Sequence, residues 1–236
     1  MIGIVIPAHN EQDTIVACLA AAKVAASDPN LRGEAVELIV VLDSCTDTTG
    51  LLAARQGAAT VSVRARNVGV ARAVGAEALL ALGARWLAFT DADSCVSPQW
   101  LAEQLALDAD AVCGTVAVDD WSPHGADAER ARWHFAQTYA DQDDHRHVHG
   151  ANLGVSAWAY RRAGGFRHLD CSEDVAFVNA LEACGARIAW SARPRVTTSA
   201  RRSGRVIGGF ADALVNAMAQ GLAAAAGVAS TGQALA

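Results

Sequence analysis

The chain has no Cys-x-x-Cys pair. Its six cysteines, Cys18, Cys45, Cys95, Cys113, Cys171 and Cys184, are scattered. That argues against a zinc knuckle and for reduced thiols in a cytoplasmic protein. Positive charge is scarce too. The net charge is −6 and no basic patch dominates, which argues against nucleic acid as a partner. The start lacks a basic segment followed by a long apolar one, so no signal peptide is expected. No apolar stretch is long and pure enough to span a bilayer. The nearest, residues 206–228, is rich in Ala and Gly and carries Asp212. It reads as a helix packing on the domain or on a partner, leaving peripheral membrane contact and a homodimer open. There is no internal repeat.

What is present is a globular composition, 52% apolar and 19% charged over 236 residues. That length suffices for one large α/β domain or two small ones. Strand and helix signals alternate. Strands are predicted over residues 2–6, 36–42, 60–63 and 86–89, each an apolar run bounded by turn residues. Between them, Asn10 reads as the N-cap of a helix with Ile15, Cys18, Leu19 and Ala22 on its apolar face. Further helices are predicted through Leu51 to Gly57 and over residues 70–82, closed by Gly83. Ser97-Pro98 has the signature of another helix start. The second half is less regular. Strands are predicted over 111–118 and 148–156, with short extended pieces at 187–190 and 196–199. Helices are predicted over 126–140, over 157–163 and from Ser172 to Cys184.

Short strands with crossover helices imply a mostly parallel sheet flanked by helices, in which ligands bind beyond the carboxyl ends of the strands. Three acidic or polar turns sit at such ends, 7–11, 43–47 and 91–93, and they can converge on one crevice. Asp91-Ala92-Asp93 is the most informative of them. Two carboxylates at the exit of a buried strand are costly unless neutralised. They suit a hard divalent cation, Mg²⁺ or Mn²⁺, shared with substrate phosphates. The triplet also reads as a solvated strand-end turn. Glu173-Asp174 likewise reads either as a catalytic pair or as an acidic first turn behind a Ser172 cap.

Five segments, in order, resemble family-two glycosyltransferases of the nucleotide-diphospho-sugar (GT-A) fold. Ile4-Val5-Ile6-Pro7-Ala8-His9-Asn10-Glu11 is similar to that family's opening IPxYNE strand. Residues 40–49, VVLDSCTDTT, resemble its VVDDGSTDxT segment. Asn67-Val68-Gly69-Val70-Ala71-Arg72-Ala73 resembles NxGxxxA, and Asp91-Ala92-Asp93 its DxD motif. Gly150-Ala151-Asn152, Gly164-Gly165-Phe166 and Ser172-Glu173-Asp174 are similar to its acceptor-side pattern. The resemblance covers roughly residues 2–200.

The resemblance implies one Rossmann-like GT-A domain over 1–236. Residues 1–110 would bind the nucleotide sugar, 111–205 the acceptor, and 206–236 would be a C-terminal helix and tail. Pro7, Ala8, Asn10 and Glu11 would line the base and ribose, and Asp43 would bond the base, uracil in the usual case. Arg72 would meet phosphate. Asp91 and Ala92 would border the ribose and a metal-bound water, and Asp93, with Asp91, would hold the Mn²⁺ or Mg²⁺. Asp174 would be the catalytic base, with Glu173 beside it. The chemistry agrees: a leaving diphosphate gathers negative charge that a cation and Arg side chains stabilise. The acceptor hydroxyl needs a carboxylate on the opposite face of the sugar, and attack from there inverts the anomeric carbon. A carboxylate in a helix's first turn is favoured by the dipole in its ionised form.

The expected activity is therefore metal-dependent, inverting transfer from a nucleotide-diphospho-sugar, UDP ahead of GDP. The acceptor would be a small molecule or a lipid-linked glycan. The rivals are a retaining transferase of the same fold, a sugar-phosphate nucleotidyltransferase, and a nucleotide-sugar-binding module. The family of retaining glyceryl-glycoside synthases places a metal-binding His after the acidic pair, and this chain has none after His168. Nucleotidyltransferases open with a Gly-rich basic loop where Pro7–Glu11 stand. Cys45 replaces the usual Gly, and His9 the common Tyr. No Gln-x-x-Arg-Trp segment is present, which argues against processive synthesis. His145, His147 and His149 alternate and could share a strand face as metal ligands, or lie in a solvated loop with His149 near a phosphate. Arg193, Arg195, Arg201, Arg202 and Arg205 could grip diphosphate or form a solvated basic face. Trp121 could stack on a sugar ring.

Overall fold

A computed structural model describes residues 1–201. Met1–Asp119 and Asp141–Ser199 form one compact unit, which joins the two halves expected on either side of residue 110. Asp120–Ala140 belong to a second unit.

The first unit is built on an eight-stranded sheet with order β3-β2-β1-β4-β7-β6-β8-β5. Its strands are β1 (Ile2–Ala8), β2 (Val36–Asp43), β3 (Ala59–Val63), β4 (Trp86–Phe89), β5 (Ser94–Val96), β6 (Ala111–Ala117), β7 (Leu153–Ser156) and β8 (Ile188–Thr198). Pairs β1–β2, β1–β4, β2–β3 and β6–β8 are parallel, while β7 and β5 run against their neighbours. The first four strands are the four predicted ones. β1 and β4 are buried along their whole length, as strands covered on both faces must be. Helix α1 (Ile15–Ala26) buries Ile15, Cys18, Leu19 and Ala22, the apolar face read from the sequence, and Ala25 with them. After α2 (Thr49–Arg55), α3 (Val68–Ala81) lays Ala71, Gly75, Ala76 and Leu79 inward. Beyond α4 (Trp100–Ala106) and, in the second unit, α5 (Ala128–Thr138) come α6 (Ala157–Ala163) and α7 (Glu173–Ala183). Tyr160, Phe166 and Phe177 from this last region pack with Phe89 of β4 in one core cluster.

Several expected boundaries move. α1 begins at Ile15, not behind an Asn10 cap. Asn10 takes a left-handed conformation (φ 54°) and turns its side chain to the loop after β2. α4 starts at Trp100, because Ser97 and Pro98 spend themselves on a turn closed by Trp100 N–H to the Ser97 carbonyl, 3.0 Å. Ser172 is left-handed (φ 56°) and makes no side-chain cap. The two extended pieces near the end are one strand, β8, and β5 has too few residues to show a period. The strand expected over 148–156 is confined to Leu153–Ser156.

The reason β8 looks broken is a register jump against β6. Gly114 pairs with Ser191, but Thr115 pairs with Arg195, so Ala192, Arg193 and Pro194 bulge. Asn152, fully buried, fills the bulge. Its Nδ2 donates to the carbonyls of Thr115 (2.7 Å) and Pro194 (2.8 Å), and its Oδ1 accepts from Trp100 Nε1 (2.9 Å). The acidic run 141–144 has the same target. Asp143 accepts from Ser191 Oγ (2.7 Å) and the Ala192 N–H (2.9 Å), and Asp141 from Thr115 Oγ1 (2.6 Å).

In the second unit, Trp121 packs against His124 and Phe135 at 5.8 and 5.5 Å between ring centroids, and is only 8% exposed. That burial removes it as a platform for a sugar ring. Among the described residues no helix is long and apolar enough to cross a membrane. The helix expected over 206–228, with Arg202 and Arg205, lies outside the described residues.

Removing the Asn152 amide strands two buried carbonyls and an indole N–H. Asn152→Ala is expected to lower stability by about 3 kcal/mol or more, read as a fall in the urea midpoint at unchanged slope.

Candidate active site

The strand register sets the site. Ala8 pairs with Leu42, so Asp43 lies one step beyond the end of β1. Val5 pairs with Phe89, so Asp91 stands level with Pro7. The carboxyl ends of β1, β2 and β4 thus meet along one edge, as the parallel arrangement requires.

The loops at that edge are tied together by their own side chains. Asn10 Oδ1 accepts from the N–H groups of Thr46 (2.8 Å) and Asp47 (3.3 Å). Glu11 is turned inward and 6% exposed; its N–H donates to Thr49 Oγ1 at 2.8 Å. His9 Nδ1 lies 2.6 Å from the Asp43 carbonyl. Asp47, not Thr48, satisfies the start of α2, accepting from Thr49 N–H (2.9 Å) and Thr49 Oγ1 (2.6 Å). The left-handed residue of this turn is Ser44 (φ 55°), which stands where the VVDDGSTDxT segment has its Gly, so the Gly replacement expected at Cys45 falls at Ser44 and Cys45 stands where that segment has Ser.

Asp43 is buried, at 4% exposure. Its Oδ1 accepts from the N–H groups of Ala65 and Arg66, both 2.8 Å, and its Oδ2 from Asn67 N–H, 2.7 Å. Ser44 Oγ donates as well, at 3.0 Å. Burial alone would raise its pKa, but these donors outweigh it and hold the carboxyl below its ordinary value. Asp43 therefore shapes the 65–67 turn, a role the sequence did not signal.

The centre of the site is Arg72, on α3 and 3% exposed. Its guanidinium donates to Asp91 Oδ1 at 2.6 Å and to Glu173 Oε1. It sits under Gly150, where a Cβ would collide with it, and 5.8 Å from the Phe166 ring centroid. Burial works against its charge, but Asp91, Glu173 and Asp174 overcome that and raise its proton affinity. Burial pushes Glu173 up, and Arg72 pulls it back only in part. Glu173, 5% exposed, is thus enclosed against Arg72, while Asp174 is half-buried at the edge. Asp174 Oδ2 accepts from Gly150 N–H at 2.9 Å, and Oδ1 from Val175 N–H at 2.8 Å. An arginine on the apolar face of α3, between Ala71 and Gly75, was the sequence signal for a buried counter-ion; its partner lies 101 residues away.

Asp91 and Asp93 are half-buried and flank the buried Ala92. Asp91 gives one oxygen to Arg72. Ser94 Oγ lies 3.3 Å from Asp93 Oδ1 and 2.8 Å from Thr198 Oγ1. The donor set is all oxygen, which fits a hard cation. Among the described residues no three His, Cys, Asp or Glu side chains converge as a complete metal cage. A cation here would complete its shell with phosphate oxygens and water, as Mg²⁺ does in phosphate sites.

The histidine-rich segment forms a stack. The ring centroids of His145 and His147 are 5.5 Å apart and those of His147 and His149 6.0 Å, at 17° and 26° between planes. Near-parallel rings aim their nitrogens along parallel planes and not at one point, so they do not make the metal site considered above. Burial, then the neighbouring His147 and His145, lower the His149 pKa to about 3. Arg193 pairs with Glu103 and Arg195 with Asp141 at 2.5 Å, so these two are neutralised on the surface.

The model of glycosyl transferase family 2 matches residues 3–163. The chain belongs to this family. Solved structures agree on the fold. Staphylococcus aureus TarS 1–349 in complex with UDP-GlcNAc superposes with a TM-score of 0.63 at 14% identity, covering 89% of this chain and 61% of that one. The mannosyltransferase PcManGT from Pyrobaculum calidifontis, with GDP-Man and Mn²⁺, gives 0.59 at 18%, covering 86% and 58%. Glucosyl-3-phosphoglycerate synthase from Mycobacterium tuberculosis, with Mn²⁺, UDP and glucosyl-3-phosphoglycerate, gives 0.55 at 19%, covering 84% and 70%. The chain thus spans under two thirds of the first two. No curated protein matches the sequence significantly. The GT-A fold expected from the five segments is the fold of this family-two member.

Because the Asp43 pKa is lowered on folding, its contribution is full above the unfolded value of about 3.9 and is lost as pH falls through the folded value. Asp43→Asn is expected to flatten the fall in melting temperature between neutral pH and pH 3. Arg72→Met is expected to destabilise the fold by about 3–5 kcal/mol, since it leaves Glu173 buried without its cation; chemical denaturation checks it.

Proposed function

We propose that the chain transfers a sugar from a nucleotide-diphospho-sugar, UDP ahead of GDP, to an acceptor hydroxyl, with inversion and with a divalent cation. The observation that carries this reading is the Arg72 node. One buried cation joins Asp91, at the donor edge, to Glu173, whose neighbour Asp174 faces outward. A donor-side carboxylate pair and an acceptor-side carboxylate are thereby held in one frame. Two of the similar structures carry UDP or UDP-GlcNAc and one GDP-Man, which supports a nucleotide-sugar donor.

In this reading Asp93 and Asp91 hold the Mn²⁺ or Mg²⁺. When bound, that ion would supply Lewis-acid stabilisation of the leaving diphosphate. The end of β1 and the loop after it, with Pro7, Ala8, Asn10 and Glu11, would form a preorganised wall for the nucleoside. Because Asp43 already accepts four hydrogen bonds, its part is to present the 65–67 turn to the base. Arg72, bonded to Asp91 and Glu173, borders the phosphates from beneath the 91–93 turn. Asp174 takes the acceptor proton, with Gly150 N–H fixing one of its oxygens and leaving lone pairs for the hydroxyl. Inversion and the UDP preference follow the family resemblance. The acceptor class remains a small molecule or lipid-linked glycan.

Calorimetric titration of UDP and GDP with Mn²⁺, and again with EDTA, tests the donor site. Binding that requires the ion and is abolished in Asp93→Ala is expected; no nucleotide binding with the ion present overturns the reading. With a working donor, Asp174→Asn should keep nucleotide binding within about twofold and lower kcat by about 10²–10⁴.

A further inference from the structure

The start of α7 is not fixed by its own sequence. Ser172 is left-handed and makes no side-chain cap, and residues 167–172 are exposed. Yet Asp174 stands in the second position of this helix. Its placement must come from outside. Three tethers do it: Glu173 to Arg72, Asp174 to Gly150 N–H, and a third at Asn67.

The backbone N–H of Asn67 and the two polar atoms of its side chain each reach a different element. Its backbone N–H donates to Asp43 Oδ2 at 2.7 Å, on the nucleotide side. Its Oδ1 accepts from Val70 N–H at 2.9 Å and caps α3, the helix that carries Arg72. Its Nδ2 donates to the Leu169 carbonyl at 2.7 Å, inside the exposed segment leading to α7. Two residues on, Gly69 lets the Arg167 carbonyl and the Glu173 side chain approach so closely that a Cβ would collide with that carbonyl. The segment 167–172 is therefore laid along the start of α3 as a strap.

We propose that Asn67 is a positioning residue: through the strap it sets where Asp174 stands relative to the donor site. The inference rests on the glycosyl-transfer reading for its catalytic consequence, though not for the tether itself. Asn67 is placed to act on the chemistry without touching it. Its loss would release one of the three tethers while the Arg72 pair and the Asp43 turn stay intact.

Asn67→Ser tests this, because serine is as good a cap for α3 but too short to reach Leu169. Asn67→Asp is the second variant; it keeps the capping oxygen and sets a carboxylate against the Leu169 carbonyl. The readouts are hydrogen exchange of the Gly150 and Val175 amides, UDP affinity with Mn²⁺, and turnover of UDP-GlcNAc and UDP-glucose, including hydrolysis. Both variants are expected to exchange those two amides at least about tenfold faster while α1 and β1 amides are unchanged. UDP affinity and donor KM should stay within about twofold while kcat falls about tenfold or more. Unchanged exchange at Gly150 and Val175 overturns the tether. Faster exchange with unchanged kcat overturns the positioning role. If wild type binds neither UDP nor GDP with Mn²⁺, the transfer reading fails, and the exchange measurement still decides the tether.

Discussion

The site depends on one buried cation. A guanidinium removed from water is tolerable only with its charge met. Arg72 has its charge met by Asp91 from the exit of β4 and Glu173 from the first turn of α7, one bonded to each terminal nitrogen, while its buried Nε has no hydrogen-bond partner. Three elements distant in sequence meet at one charged group. Glycine at 150 allows the backbone to close over it, and Phe166 supplies an aromatic neighbour. Because the alternative is an unpaired charge in the interior, the node resists small rearrangements. The separation between the carboxylates of the 91–93 turn and that of Asp174 is set by the length of one arginine and by the packing of α3 on the sheet.

A second constraint supports the loops at the carboxyl ends of β1 and β2. Asp43 gathers three consecutive backbone N–H groups, and Asn10 and Asp47 bind the loops after β1 and β2 to each other. A crevice whose walls are already hydrogen-bonded need not reorganise when a ligand arrives, which is how fixed dipoles become effective in polar chemistry. The same loops are rich in residues that a sequence reader assigns to ligand contact, but much of their hydrogen-bonding capacity is spent within the protein.

That divides what the sequence revealed from what it concealed. The first four strands were legible, since each is a short apolar run ending in a turn, and the face of α1 was legible at helical spacing. The convergence of 7–11, 43–47 and 91–93 followed from parallel pairing alone. The Arg72–Glu173 pair was not legible, because nothing local marks a partner 101 residues away beyond the oddity of an arginine on an apolar face. Asn10 and Ser172 misled, since capping residues serve turns as readily as helices. β8 looked like two pieces because Asn152 and Asp143 stabilise a bulge inside it, and a bulge breaks the alternation by which strands are recognised.

The pairing of β5 has a further consequence. Ser94–Val96 follows directly on Asp93 and takes Val196–Thr198 of β8 as its strand partner. During synthesis that short strand has no partner until about a hundred more residues have been made. The first four strands can pair early, yet the loop bearing Asp93 gains its far anchor only when β8 arrives. A ribosome-bound chain ending before residue 196 would have its first four strands in place and the 91–93 turn unanchored. The final shape of that turn would thus be a late event in the life of the nascent chain.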